Sequence, residues 1–167
     1  MNIVIRNIKE EDLPEVVDIQ IKGWQTAYKG IIDDEFLSTM NKEKQIERRK
    51  KDYHKGYFIV ALLDNQIVGF SRYDNNAVSE DSEGFDSEII ALYVKPEIKG
   101  MGIGTQMINF IKDDLKQKGN KKMIIWCLKE NLPSRHFYEK MGGSLVNEHY
   151  ITFGDKEYPE VAFGFEL

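Results

Sequence analysis

Two spacings of apolar residues alternate along this chain, one of about two and one of three to four. Ile3 and Ile5 alternate with polar neighbours and predict a first strand over residues 2–7. Asp12 then offers an N-cap, Pro14 suits a first helical turn and Glu15 can reach back to the cap. Leu13, Val16, Val17, Ile21, Trp24 and Tyr28 follow at helical spacing until Gly30. Asp33 opens a short helical stretch carrying Phe36, Leu37 and Met40, and a charged helix around residues 45–51 comes next.

Tyr57 to Leu63 and Gln66 to Tyr73 are β-rich runs around Asp64-Asn65, a strong hairpin signal. Asp74-Asn75-Asn76 ends the second run, and the polar stretch to Ser82 is expected to be a loop. Glu88 to Val94 is apolar after its first residue, as in a central strand covered on both faces. Ile103, Met107, Ile111 and Leu115 recur every fourth residue and predict an amphipathic helix ended by Gly119-Asn120. Met123 to Leu128 is another buried strand; Asn131 caps a helix that Gly142-Gly143 stops. Two strands, residues 144–153 and 157–167, flank the turn Gly154-Asp155. The order β-α-α-β-β-β-α-β-α-β-β predicts one α/β domain over residues 1–167, a mixed sheet with helices on its faces.

Composition narrows the chemistry. A chain of 167 residues with 41% apolar content buries a sizeable core as a single domain. No run approaches the roughly 20 apolar residues that span a bilayer, and the N-terminus lacks a signal-peptide layout, so a soluble cytoplasmic protein with no membrane partner is expected. A formal net charge of -5 weighs against nucleic acid and accommodates a cationic small substrate. The one cysteine, Cys127, sits in an apolar run as core filling. His54, His136 and His149 show no ligand spacing with it, so no metal is implied.

Two stretches carry the chemical information. Lys99-Gly100-Met101-Gly102-Ile103-Gly104-Thr105 links an apolar strand to a helix, with glycines that let a ligand approach the backbone and free N–H groups at the positive end of the helix dipole. An anion, most naturally a pyrophosphate, fits there. The loop lacks the Gly-Lys-Ser/Thr ending of a nucleoside triphosphatase and the glycine spacing of a dinucleotide site. The second stretch, Asn131 to Gly142, sets Asn131, Ser134 and Tyr138 on one helical stripe and Phe137 and Met141 on another, as suits a helix lying along a ligand.

Together these stretches resemble the acyl-CoA-binding core of the GNAT superfamily, the Gcn5-related N-acetyltransferases. That family joins its fourth strand to a helix by Arg/Gln-x-x-Gly-x-Gly/Ala, matched here by Lys99 to Gly104. Leu92-Tyr93-Val94-Lys95-Pro96 resembles its strand-end signature, and Asn131 with Phe137 to Gly142 its second CoA segment. Lys99 stands where Arg or Gln is usual, Ser134 replaces a common alanine and Gly143 a usual aromatic. Lysine retains the charge but not the guanidinium fork.

The resemblance implies a mostly antiparallel mixed sheet with splayed fourth and fifth strands. Acetyl-CoA is then held by Leu92, Tyr93, Val94, Lys99, Gly100, Met101, Gly102, Ile103, Gly104, Thr105, Asn131, Ser134 and Tyr138, and its acetyl group passes to a primary amine by direct attack in a ternary complex. It further implies Tyr138 as the acid at the CoA sulfur, Glu88 as the base, and Trp24 and Tyr28 in the acceptor pocket. The expected acceptor is a small cationic metabolite. A protein α-amine or lysine, or a non-catalytic acyl-CoA-binding module, stay open as other readings. Exposed strand edges near the C-terminus leave room for a homodimer.

Overall fold

The computed structural model describes residues 2–167. The strands are β1 (Ile3–Asn7), β2 (Tyr57–Leu63), β3 (Gln66–Asp74), β4 (Ser87–Val94), β5 (Lys122–Leu128), β6 (Ser144–Phe153) and β7 (Lys156–Glu166). The helices are α1 (Leu13–Ala27), α2 (Asp34–Ser38), α3 (Lys42–Asp52), α4 (Ile103–Gln117) and α5 (Leu132–Lys140). The short stretch at Asp33 is thus a helix of its own, and three helices rather than two separate β1 from β2. All the strands join one seven-stranded sheet in the order β1-β2-β3-β4-β5-β7-β6. Every neighbouring pair is antiparallel except β4 and β5.

Local chemistry explains most boundaries. Asp64 and Asn65 take φ of 49° and 69°, the left-handed pair that a two-residue hairpin needs to match strand twist. The start of α1 departs from expectation, because Asp12 does not cap it. A 3-10 turn over Glu10–Asp12 already brings the chain into a helical course, and the Asp12 carboxylate turns back to the Lys9 N–H at 2.8 Å and to Arg6. Arg6 grips both its oxygens, at 2.7 and 3.1 Å. Burial works against the Asp12 anion, yet the Arg6 and Lys9 hydrogen bonds outweigh it and hold the carboxyl below its usual range.

The sheet is covered on both faces. On one, Ile108, Ile111 and Leu115 of α4 pack on Ile89, Met123, Ile125 and Phe163. On the other, Val16 and Ile19 of α1 pack on Phe58, Val60 and Phe70.

Strand β4 breaks the expectation of a fully covered central strand. Glu88 and Ile89 pair with both neighbours, and Ser87 with β5 alone: Ile89 lies opposite Tyr73 of β3 and Ile125 of β5. The β3 register then jumps to Ala91 opposite Arg72, which leaves Ile90 as an extra residue, 37% exposed. The β4–β5 ladder ends at Ile89 and Ile125. Beyond it β4 stays with β3 and β5 stays with β7, so the sheet forks. A bulge bends its strand and interrupts pairing, which accounts for both the exposure and the parting.

Candidate functional site: a forked sheet beside an uncapped helix

The fork opens beside the N-terminus of α4. Gly102 occupies the N-cap with φ of 81°, and Gly100 has φ of 89°, both in the left-handed region where a side chain is strained. Since Gly102 has no side chain to cap the helix, the first-turn N–H groups of Ile103, Gly104 and Thr105 keep their hydrogen-bonding capacity for a ligand. Lys99 and Met101 flank them on the surface. The Ile103 side chain faces inward with Met107 and Val68, so only its backbone is on offer. Gly104 lets α5 come close: a Cβ there would lie 3.1 Å from the Phe137 ring. The fork, the cation at Lys99 and the free amides together fit a long, phosphate-bearing ligand.

Helix α5 closes the same side. The Asn131 side chain is buried and accepts from the Ser134 N–H at 3.4 Å, so it caps α5. Tyr138 is 6% exposed, packed near Cys127 and Phe163. Burial pushes its phenol well above the ordinary value, the neighbouring Cys127 and Tyr93 push the same way, and Ser134 opposes. A phenol so placed holds its proton at neutral pH and can donate it. Burial also drives the Cys127 thiol up to about 12, which leaves it an inert core group.

The opposite side of the fork is aromatic. The Tyr93 ring turns toward α1, stacks 5.2 Å from Phe70 and lies where a Cβ on Gly23 would approach it to 2.9 Å. Its hydroxyl accepts from Trp24 Nε1 at 2.6 Å. Of Tyr93, therefore, only the backbone faces the donor side, while Leu92 and Val94 turn their side chains toward α4. Trp24 in turn meets Tyr28 at 4.9 Å and Phe153 at 5.0 Å, both edge to face. Burial raises the Tyr28 phenol well above its usual value, and Tyr93 beside it adds to the effect.

Glu88 is placed differently from the expectation. It is 2% exposed, and its carboxylate accepts from the Val78 and Ser79 N–H groups at 3.0 and 2.9 Å and from the Ser79 hydroxyl at 2.5 Å. These bonds pin the loop between β3 and β4 to the sheet. The carboxylate is thus turned to its own loop, and the direct base role that the resemblance implies would require it to leave these donors.

The family model for the acetyltransferase (GNAT) family matches residues 19–143. This chain belongs to that family. Members are acetyl-CoA-dependent N-acetyltransferases, and the protein is accordingly an acyltransferase with acetyl-CoA as its donor. It is 25% identical over 163 residues to the uncharacterised N-acetyltransferase YuaI of Bacillus subtilis, covering 98% of this chain and 92% of that one. Likewise, it is 25% identical over 149 residues to a spermidine N(1)-acetyltransferase of Thermoplasma acidophilum, covering 85% and 88%. Among solved structures, the PaiA N-acetyltransferase of Thermoplasma acidophilum in complex with coenzyme A shares the fold with a TM-score of 0.72 at 24% identity, over 96% of this chain and 98% of that one. The yncA protein of Salmonella typhimurium with its cofactor acetyl-CoA superposes with a TM-score of 0.68 at 14% identity, over 98% of this chain and 93% of that one.

Within the GNAT frame the residues expected to hold the donor lie on the end of β4, on the loop into α4 and on α5 with its cap. The structure also gathers a group that sequence reading passed over. His149 stacks on Trp126 with centroids 3.8 Å apart and planes 3° from parallel, and bonds Asp81 and Glu160 through its two ring nitrogens. Part of this was accessible from sequence: a two-residue turn at Gly154-Asp155 puts His149 opposite Glu160 by counting back. Asp81, on the loop that Glu88 pins, carries no such signal.

Proposed function

We propose that this enzyme transfers the acetyl group of acetyl-CoA to a primary amine of a small cationic molecule by direct attack in a ternary complex. The observation that carries this reading is the fork at Ile89 and Ile125, with an uncapped helix start on one side and an aromatic-lined face on the other. The spermidine acetyltransferase among the relatives supports a cationic acceptor.

In this reading the α4 amides and Lys99 hold the pyrophosphate, while the backbone of Leu92, Tyr93 and Val94 lines the pantetheine path. Met101, Thr105, Asn131 and Ser134 border the same opening. Acetyl-CoA supplies a thioester carbon open to a neutral amine. Tyr138 holds a proton at its hydroxyl for the departing sulfur, and its buried setting keeps that proton in place until thiolate forms. An alkyl amine with a pKa like that of lysine is neutral in fewer than about one molecule in a thousand at pH 7, so the ammonium proton must leave first. Water in the open half of the fork takes it, and Glu88 serves by fixing the loop over that space. Trp24 and Tyr28 wall the acceptor.

The reaction belongs in the cytoplasm, consistent with a single buried thiol. A homodimer through β6 is supported by this ten-residue edge strand with Leu145, Val146 and Tyr150 exposed. Calorimetric titration with acetyl-CoA tests the central reading, with ATP and NAD as controls. Selective binding near micromolar, about -8 kcal/mol, is expected. Absence of acetyl-CoA binding by folded protein would overturn it.

A further inference from the structure

The His149 group reads as more than a clip for a loop. Its Nδ1 lies 2.9 Å from Asp81 Oδ2 and its Nε2 lies 2.6 Å from Glu160 Oε1. With both partners ionised as acceptors, both ring nitrogens donate and the ring is an imidazolium, the form that these two bonds favour. Two carboxylates sharing one imidazolium leave one net negative charge. Asp81 lies on the loop with its side chain half exposed, its Oδ2 on His149 and its backbone carbonyl accepting from Asn147. Glu160 differs: its side chain is 13% exposed, and Oε2 has no hydrogen-bond partner among the described residues although it is not sealed from solvent.

Register fixes where that free oxygen stands. Glu160 of β7 pairs with Leu128 of β5, and paired residues of adjacent strands share a face. Leu128 packs with Trp24, Tyr28 and Phe153, the aromatic wall across the fork. Among the acidic groups on this side, Asp33 is paired with Lys156 at 3.0 Å and Glu88 is held by its loop, while Asp34 and Glu35 stand exposed to water at the start of α2. A half-buried carboxylate beside aromatic rings attracts an ammonium group strongly, because charge and ring faces act together where water is scarce.

We propose that Glu160 is a specificity residue that receives a second, non-reacting ammonium group of the acceptor, and that His149 is the positioning residue that fixes its orientation through Oε1. The proposal rests on the small-amine reading and narrows it to diamines and longer polyamines. Adjacent strands lie about 4.8 Å apart, so the carboxylate stands roughly one strand spacing from the fork, a distance that three or four methylenes bridge.

The test compares a four-carbon diamine with butylamine under saturating acetyl-CoA. The native enzyme is expected to favour the diamine in kcat/KM by about 10- to 100-fold, the usual range for a hydrogen bond to a charged group. Glu160→Gln preserves shape while removing charge, and should collapse that ratio to about one, with the change falling on the diamine KM. His149→Gln should lower the ratio in the same direction but less, and acetyl-CoA affinity checks that each variant is folded. If Glu160→Gln fails to fold, Glu160→Asp, which retracts the charge, must still cut the ratio. Equal use of both amines by the native enzyme, or a ratio that survives in the variants, overturns this inference alone. Turnover of neither amine by protein that binds acetyl-CoA overturns the small-amine reading and the inference with it.

Discussion

The two sides of the fork are built on opposite plans. On the donor side, the strand end, the glycine loop and the start of α4 follow one another in sequence from Leu92 to Thr105, and α5 adds Asn131, Ser134 and Tyr138 from one short helix. On the acceptor side, Trp24 comes from α1, Asp81 and Ser82 from a loop, Trp126 from β5, His149 from β6 and Glu160 from β7. In the proposed reading backbone amides hold a constant ligand on the first side, and any sequence meeting the φ requirement supplies them. Side chains shape the second, where each contact joins residues far apart in the chain. On this reading the donor loop is the more sensitive to backbone change and the acceptor side to side-chain change.

Gly102→Asp strikes the donor side hardest. A side chain at φ of 81° is strained, and its carboxylate would face the phosphate among the amides. We expect acetyl-CoA affinity to fall by about 100-fold or more, since strain and charge conflict together exceed about 3 kcal/mol; titration reads it, and undiminished affinity would remove the loop from the binding site. Tyr138→Phe comes next. It should slow single-turnover acetyl transfer by about 10- to 100-fold, at or below the usual range for general acid catalysis, while acetyl-CoA affinity persists. An unaltered single-turnover rate would rule out the acid role.

On the acceptor side, Glu88→Ala leaves the Val78 and Ser79 N–H groups without their acceptor and should cost about 1–3 kcal/mol. Glu88→Gln keeps an acceptor oxygen and should be milder. Denaturant unfolding distinguishes them, and a large drop in transfer rate for Glu88→Gln with stability intact would return Glu88 to the role of base. The smallest effect concerns His149. Burial lowers its tendency to protonate, but the bonds to Glu160 and Asp81 outweigh that and raise its pKa above the ordinary value. Its contribution to stability is thus full below the unfolded value of about 6.5 and is lost as pH rises through the raised folded value. Relative to the native protein, His149→Gln should lower Tm by about 2–4 °C below pH 6.5 and progressively less at higher pH. A decrement independent of pH would show that the imidazolium bonds contribute nothing.

How much of this could be read directly follows the same division. The hairpin at Asp64-Asn65, the stripe Ile103-Met107-Ile111-Leu115 and the cap at Asn131 are local, and each appears where its pattern puts it. Asp12 and Glu88 are the instructive departures. For Asp12 the place before a helix points to capping, for Glu88 the family resemblance points to proton transfer, and the partners of both, Arg6 and the Val78–Ser79 amides, come from elsewhere. A polar side chain takes the donors that folding brings to it, and spacing along the chain does not record them.

Sequence by itself determined the periodicities, the turns and the glycine loop, because dihedral preference and apolar spacing act over a few residues. Only the tertiary structure decided that β4 bulges at Ile90 and parts from β5, that Glu88 closes on its own loop and that His149 sits between Asp81 and Glu160. Those outcomes depend on which strands become neighbours and in what register. They are settled by the packing of the whole sheet rather than by any segment of it.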